Sequence, residues 1–400
     1  MDMKDNARLF DRRRFGGLIA GAATAAIIPG VSSAQRVLRP SDAPVMSRAT
    51  KPVGRKMTPA ERADFAATEV GPEFDPATLP VAERREASDA SVAIQALFLK
   101  GLLHRADPAA YPIPADPNSP EAVMARAVAA IPSRLFNRAA PKLAQLKTNP
   151  QILPLLSPAV RGMDFKTPSL APALRSMAPS VGFRAAPVAG AGVASIEEGD
   201  TNICSKYKSV QLVLRSLHCI RETPGCCGGS DEMVIGAVRI GAGGNIGKQK
   251  FGFYAGQFDD HPAPDEVDYI DFGDHYVGEY SLSSTAGYPK NFYCIWQLTE
   301  TDHDGQDAAN DLVDTLQTAC DVLAPFTLGI TAVVSAVVEV VQKFINLFIS
   351  DLVFPTYTSL LRMYGENDFG PTGVSKKLRT KVITKNGSKY VIGYRWYLVA

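Results

Sequence analysis

Asn386-Gly387 joins two alternating segments near the C-terminus, Leu378 to Lys385 and Ser388 to Val399. This dipeptide is the strongest short signal for a β-hairpin, because a type I′ turn needs a positive φ at both central residues. The large apolar residues of the second segment share one parity: Tyr390, Ile392, Tyr394, Trp396 and Leu398. We therefore predict an antiparallel hairpin whose second strand has one continuous apolar face.

Residues 201–400 contain six more short alternating runs, which are separated by clusters of Gly, Pro and Asp. The runs are Lys206–Ile220, Glu232–Ile240, Lys250–Phe258, Val267–Phe272, His275–Tyr280 and Asn291–Leu298. Short strands with such turns between them are the signature of an antiparallel sandwich. We predict a mainly β domain with some α over 201–400, an antiparallel β-sandwich of about eight strands.

A pair of helical patterns interrupts the strands between the acidic loops and the C-terminal hairpin. Asp307 to Leu323 has apolar residues at helical spacing and stops before Pro325, and Thr327 to Val353 follows with one narrow polar stripe. We predict an inserted helical hairpin over 307–354 that packs on the sandwich. Charges in the middle of the second helix disfavour a membrane span, since each costs roughly 2.5–3.5 kcal/mol at the bilayer centre. A membrane-active protein that deploys residues 327–353 is the alternative.

Residues 35–200 have a different composition, with most of the chain's prolines and no cysteine. Two helices stand out, over Ala82 to His104 and from Ser119-Pro120-Glu121 to about Ala130, where Ser119 caps and Pro120 takes the first helical position. We predict that 35–200 is an Ala/Pro-rich region or propiece, partly helical and partly disordered.

The N-terminus has the pattern of a secretory signal. Arg12-Arg13-Arg14-Phe15 precedes an apolar run from Leu18 to Ile28, and the small residues Ser32-Ser33-Ala34 follow. The paired arginines resemble the twin-arginine type of signal, which carries folded proteins across a bacterial inner membrane. This resemblance implies a signal peptide over 1–34, cleavage near Ala34 and a periplasmic or secreted protein. An uncleaved membrane anchor is disfavoured, because the apolar run is shorter than the roughly 20 residues of a span.

All six cysteines lie between Cys204 and Cys320. An even number of cysteines in an exported chain predicts disulfide bonds, because such bonds persist outside the cytosol. The spacing does not choose among the 15 pairings that six cysteines allow. It contains no Cys-x-x-Cys or Cys/His arrangement typical of zinc.

An acidic loop begins where one predicted strand ends, with the sequence Glu300-Thr301-Asp302-His303-Asp304-Gly305-Gln306-Asp307. Its first half resembles the calcium loop of EF-hand-like sites, in which alternate carboxylates turn inward and a glycine makes the sharp bend. The resemblance implies Glu300, Asp302 and Asp304 as ligands and Asp311 at the twelfth place. The sequence departs from the pattern, with Glu at the first position and Asp at the twelfth.

A second acidic loop runs from Glu222 to the turn Gly229-Ser230-Asp231 before a predicted strand. The chain has Ile295-Trp296 before Asp302 and Asp304. Together, the two loops resemble the calcium-binding end of C2 domains, where such a turn enters a strand and a later strand of the Val-Trp type leaves into an Asp-x-Asp loop. The usual Pro-Tyr after Ser-Asp is missing here. The resemblance implies Asp231, Asp302 and Asp304 as ligands, and Glu222 more loosely. A third acidic loop, Glu366-Asn367-Asp368, is a further candidate for the same end.

Calcium is favoured over magnesium because several flexible acidic ligands suit the larger ion. The alternative is that these loops are solvated turns without a bound ion.

Catalytic signatures are few, with no Gly-x-Ser-x-Gly, no His-Glu-x-x-His and no Walker loop. The chain has no long basic stripe interleaved with aromatic residues, so the sequence does not indicate a nucleic-acid-binding protein. A short basic stretch from Lys376 to the C-terminus could contact an anionic surface or a cell-envelope polysaccharide. We predict an exported bacterial envelope protein, a noncatalytic binding or structural module with a calcium site. The enzyme alternative is a calcium-assisted hydrolase that uses His303 or His275.

Overall fold

The computed structural model describes residues 53–145, 156–179, 182–183, 207–222, 231–242, 251–258, 267–282, 288–301, 310–316, 326–327, 330–348, 352–369 and 379–399. Within these residues the protein is a mixed α/β structure with two large sheets. The predicted signal segment, 1–34, lies outside the described residues.

The strands are β1 (Arg55–Lys56), β2 (Glu69–Val70), β3 (Gly182–Phe183), β4 (Ser209–Arg221), β5 (Asp231–Ile240), β6 (Phe251–Phe258), β7 (Asp268–Ser281), β8 (Lys290–Thr301), β9 (Phe326–Thr327), β10 (Leu352–Val353), β11 (Tyr357–Met363), β12 (Arg379–Lys385) and β13 (Ser388–Val399). The helices are α1 (Pro59–Ala66), α2 (Val81–Ala106), α3 (Pro120–Ala129), α4 (Ser133–Ala144), α5 (Pro158–Arg161), α6 (Ala171–Met177), α7 (described over 310–316) and α8 (Ile330–Phe348).

A six-stranded sheet, sheet B, has the order β1-β7-β4-β13-β12-β2. Its pairs are antiparallel except for β12 with β2. The predicted hairpin is confirmed, because Lys385 pairs with Ser388 and both turn residues have positive φ, 51° at Asn386 and 90° at Gly387. The runs predicted over 267–272 and 275–280 form one strand, β7, which continues through Gly273 at a φ of 65°.

A five-stranded sheet, sheet A, has the order β10-β8-β5-β6, and β11 also pairs with β8. Alternate residues of β5 and β8 point to sheet B and bury a shared core, which includes Ile235 and Trp296 from sheet A and Ile392 and Tyr394 from sheet B. The two sheets therefore pack face to face. We call them the two-sheet core.

The helices cover the other face of sheet A. Val234 and Ile295 of the sheet share a second core with α2, α7 and α8. The long helix α2 contacts α3 and α8 most extensively, and Gln95 on α2 donates to Glu339 in the polar stripe of α8 at 3.1 Å. At Glu339, the polar stripe of α8 therefore contacts α2. Residues 317–325, which would join α7 to α8, lie outside the described part, so the predicted helical hairpin stays a prediction.

Residues 53–74, which we call the belt, pass around the two-sheet core. Gly54 donates to Gln257 of β6 at 2.8 Å, and β1 then pairs with β7, so the belt joins the two sheets on this side. The helix α1 crosses the outer face of sheet B, and β2 pairs with β12. Phe74 donates to Thr358 of β11 at 3.2 Å, which joins the sheets on the other side.

Two fully buried charged residues fix the loop between α5 and α6. Lys100 on α2 donates to the carbonyl oxygens of Phe165 and Thr167 at 2.5 and 2.7 Å. Glu121 on α3 accepts from the backbone of Leu170 at 2.5 Å. Burial lowers the pKa of Lys100, and the nearby charge of Glu121 opposes this effect. The helical layer therefore depends on a buried polar cluster as well as on its apolar core.

We expect Lys100→Met to lower the free energy of unfolding by about 3 kcal/mol, because removing one member of a buried charged cluster leaves the other groups desolvated and unpaired. Urea unfolding followed by circular dichroism measures the change. The matched control is Lys166→Met, a lysine exposed in the same loop, which should shift stability by no more than about 0.5 kcal/mol. Equal stability of the two variants would contradict a structural role of Lys100.

Candidate functional site

A pocket opens between β11 and β12 on the side of the two-sheet core. Its volume is about 260 Å³. The lining residues are Pro72, Leu360, Leu361, Arg362, Tyr364, Asp368, Phe369, Arg379 and Trp396. Pro72 comes from the belt, so the N-terminal part of the described chain contributes one wall.

Two arginines supply the positive charge of this pocket. Arg362 is exposed at the end of β11, and its Nε donates to Asn291 Oδ1 at 3.3 Å. No hydrogen bond of its terminal nitrogens occurs within the part of the chain that the structure describes. Arg379, at the start of β12, forms an ion pair with Glu69 of the belt. Arg362 therefore has unused donors, whereas the belt carboxylate partly neutralises Arg379.

Aromatic side chains form the floor and one wall. Trp396 is 3% exposed and packs against the ring of Tyr280, with centroids 5.3 Å apart. Phe369 is also buried, while Tyr364 at the rim is 65% exposed. Large exposed aromatic residues beside a concave surface are typical of binding sites.

Asp368 shapes the turn that closes the pocket. Its Oδ2 accepts from the backbone nitrogens of Tyr364 and Gly365 at 2.6 and 3.3 Å. The carboxylate therefore holds the short 3-10 turn Glu366–Phe369 against β11. The third acidic loop of the sequence analysis thus lies at the pocket. It follows β11 beyond Met363, which pairs with Lys290 at the start of β8, so it is opposite to the end where Glu300 lies. Its assignment to the calcium end was wrong.

The other predicted loops leave the core at its opposite end, which we call the hairpin end because the Asn386-Gly387 turn is there. In the register of β5 and β8, Glu232 pairs with Thr301 and Met233 pairs with Glu300. Asp231, the first residue of β5, therefore lies beside the point where the chain leaves β8 toward Asp302 and Asp304. Those two residues lie outside the described part, and only the backbone of Asp231 is described.

Glu222 belongs to the same end. It follows Arg221, which pairs with Lys389 next to the hairpin turn. Lys385 in the same hairpin donates to Val353 O at 2.5 Å, and Val353 pairs with Thr299 of β8. The ends of the two sheets that carry Glu222 and Glu300 are therefore adjacent. Glu222 is buried and Glu300 is half-buried.

Asp311 has other partners than a metal ion. Its two carboxylate oxygens accept from Arg134 at 2.6 Å and Arg138 at 2.5 Å, both on α4. Both carboxylate oxygens of Asp311 are therefore paired with guanidinium groups of α4. Among the described residues, no three His, Cys, Asp or Glu side chains are grouped so that they could hold a metal ion.

Of the two histidines considered as catalytic residues, one lies within the described part of the chain and the other does not. His275 stacks on Phe253 with ring centroids 4.5 Å apart, and burial lowers its pKa, so it is part of an aromatic cluster. His303 lies outside the described residues.

Cys219 and Cys294 are buried thiols, and the other four cysteines lie outside the described part. Among the described helices, none has the length and apolar character needed to cross a membrane.

The pocket is not predictable from patterns along the sequence. Its walls come from β11, which follows a long apolar helix and was not predicted as a strand, and from the belt, whose pairing is only two residues long at β2. Trp396 was predicted to lie on the apolar face of its strand. Its position in the lining of a pocket depends on where the apolar face of that strand ends.

The chain matches no known protein family, no curated protein and no solved structure.

Proposed function

We propose that this protein is a noncatalytic binding module with a β-sandwich core, and that its pocket binds an anionic group of a cell-envelope polysaccharide. The observation that carries the proposal is the pairing of two arginines at the rim with the buried indole of Trp396 at the floor. The N-terminal pattern of paired arginines, an apolar run and small residues supports export to the periplasm or beyond.

The chemistry of the rim favours an anionic oxygen. Guanidinium groups present several donors in a plane and bind carboxylates through two parallel hydrogen bonds. Arg362 has its terminal nitrogens turned to no partner among the described residues, so a carboxylate there would not need to break an existing ion pair. Arg379 would have to share its charge with Glu69. We therefore assign the main anion contact to Arg362.

The size and aromatic walls of the pocket favour one ring of a longer chain. A volume of about 260 Å³ falls just below the roughly 300–1,000 Å³ of sites that enclose a drug-sized ligand. One sugar ring fits this space, and the rest of a polymer would continue into solvent past Tyr364. The floor offers an aromatic surface for the apolar face of the ring. A uronic acid, a sugar with a carboxylate, combines both features.

The lining residues favour binding over catalysis. They include no histidine, cysteine or serine, and the carboxylate of Asp368 accepts two backbone hydrogen bonds. A general acid or base has to lie within hydrogen-bonding distance of the reacting group with a pKa near the working pH. Asp368, the carboxylate of the pocket, instead holds the turn Glu366–Phe369 through its two backbone hydrogen bonds.

We expect the protein to bind a galacturonate trisaccharide more tightly than the neutral galactose trisaccharide. Arg362→Met should weaken the galacturonate affinity about tenfold to a hundredfold, because a hydrogen bond to a charged group contributes about 1.5–3 kcal/mol. Isothermal titration calorimetry at low salt measures the affinity of the wild type and of the variant for each sugar.

Arg175→Met is the matched control, since Arg175 is an exposed arginine on α6 away from the pocket. This variant should bind like the wild type. An Arg362→Met variant that keeps full affinity for galacturonate, or equal affinities of the wild type for the charged and neutral sugars, would rule out the pocket as the anion site.

A second candidate function is calcium binding at the hairpin end. The β5–β8 register favours it, because the backbone of Asp231 lies beside the strand end that leads to Asp302 and Asp304. Such proximity is a necessary condition for a shared ion. Glu222 and Glu300 belong to the same end, whereas Asp311 is paired with Arg134 and Arg138. Carboxylates that converge on one point repel each other unless a cation offsets their charge.

Millimolar calcium should raise the melting temperature of the wild type, because an ion that binds only the folded state stabilises it. The double variant Asp302→Ala with Asp304→Ala should lose this rise. Asp64→Ala, which removes an exposed carboxylate on α1, should keep it. An equal rise in all three proteins, or none in the wild type, would exclude a calcium site in these loops. Differential scanning calorimetry with and without a chelator measures the shift.

A further inference from the structure

We infer that the belt is an acid-sensitive closure of the two-sheet core, and that His218 beneath α1 is the group that senses the pH. This inference does not depend on the ligand of the pocket. Two observations support it, the lack of buried residues in α1 and the enclosed position of His218 under this helix.

The middle of the belt, α1, is held by few apolar contacts, whereas Met57 and Phe74 on either side of it are buried. α1 has no buried residue, and β1 and β2 contribute two residues each to sheet B. Outside the short ladders, the main contact of α1 with the sheet is Phe65 on His218, and Arg55, Glu61 and Tyr269 form a polar cluster at one side. Segments with little apolar burial open more easily than the core that they cover.

His218 lies on the outer face of β4, directly under the belt. Its ring stacks on Phe65 at a centroid distance of 4.2 Å and on Tyr269 at 5.5 Å. Nε2 is 2.8 Å from the hydroxyl oxygen of Ser216. Nδ1 is buried and has no hydrogen-bond partner among the described atoms, and the residue is 4% exposed. The site therefore holds one neutral tautomer and offers no acceptor to a second N–H.

The groups around the imidazole ring of His218 favour its neutral form. On β7, the charge of Asp271 acts in favour of protonation, but the loss of hydration is larger and lowers the pKa of His218 to about 4. β13 contributes Val391, which pairs with His218. The ring faces of Phe65 and Tyr269 would attract a cation, but they replace little of its lost hydration.

The polar cluster beside α1 does not respond in the same pH range. The Arg55 guanidinium holds the pKa of Glu61 well below its usual range, and burial raises the pKa of Tyr269. The cluster of Arg55, Glu61 and Tyr269 therefore keeps its charges between pH 7.5 and pH 4.5. Within this contact region, His218 is the group for which acidification favours protonation, and protonation favours the open belt.

The direction of the effect follows from linkage. With the belt open, the imidazole is hydrated and regains its ordinary value near 6.5, whereas in the closed state protonation is suppressed. The closed state is therefore fully favoured above pH 6.5 and loses stability as the pH falls toward 4. The population of the open belt should rise on the order of 50-fold between pH 7.5 and pH 4.5.

Hydrogen exchange of the full-length chain, measured by mass spectrometry at pH 7.5 and pH 4.5 and corrected for intrinsic exchange rates, tests the inference. Amides of residues 53–74 should lose protection at pH 4.5 by on the order of 50-fold, while amides of α2 keep theirs. His218→Phe retains an aromatic ring without a titrating group, so its belt should show the same protection at both pH values. His218→Gln is a second nontitrating variant that retains polar atoms for Ser216.

His275→Gln is the matched control, because it removes another partly buried histidine outside the belt contact. Its belt should open on acidification as in the wild type. The inference is overturned if both His218 variants open at pH 4.5 like the wild type. It is equally overturned if the wild-type belt stays protected at pH 4.5, or if α2 loses protection together with the belt.

Discussion

Burial of sheet A on both faces is the constraint on which the rest of the structure depends. Ile235 and Trp296 point into the core shared with sheet B, whereas Val234 and Ile295 point into the core shared with the helices. Because neighbouring residues of the same strands belong to different cores, neither the helices nor sheet B can be removed without exposing an apolar face. The described residues accordingly belong to one compact unit.

The sequence predicted the elements whose signals are local. The Asn386-Gly387 turn, the alternating β13 face and the Ser119-Pro120 start of α3 all follow from backbone chemistry within a few residues. The packing of α2 could not be predicted, because that helix is apolar on several sides and one of its two main partners, α8, is distant in the chain. The belt left little trace, since its strands are two residues long and their pairing depends on sheets that form later in the chain.

The candidate sites were predictable to different degrees. Acidic residues that alternate next to a strand end can be found by reading the sequence, and the β5–β8 register places the ends of those strands side by side. Asp311 shows the limit of this reasoning, because spacing places it at the twelfth loop position and two arginines of α4 take its oxygens. The pocket arises from Arg362, Arg379 and Trp396 on three strands, and no spacing along the chain connects them.

The belt gives the pocket and His218 a physical connection. Pro72 lines the pocket and Glu69 pairs with Arg379, while Phe65 of the same segment covers His218. If the belt opens as a whole, the opening that hydrates His218 also removes one wall of the pocket and withdraws the carboxylate that partly neutralises Arg379. Coupling between two equilibria is reciprocal. A ligand that needs the wall at Pro72 therefore stabilises the closed belt against acid, whereas an anion that competes with Glu69 for Arg379 favours opening. The balance between these two contacts decides the sign of the coupling.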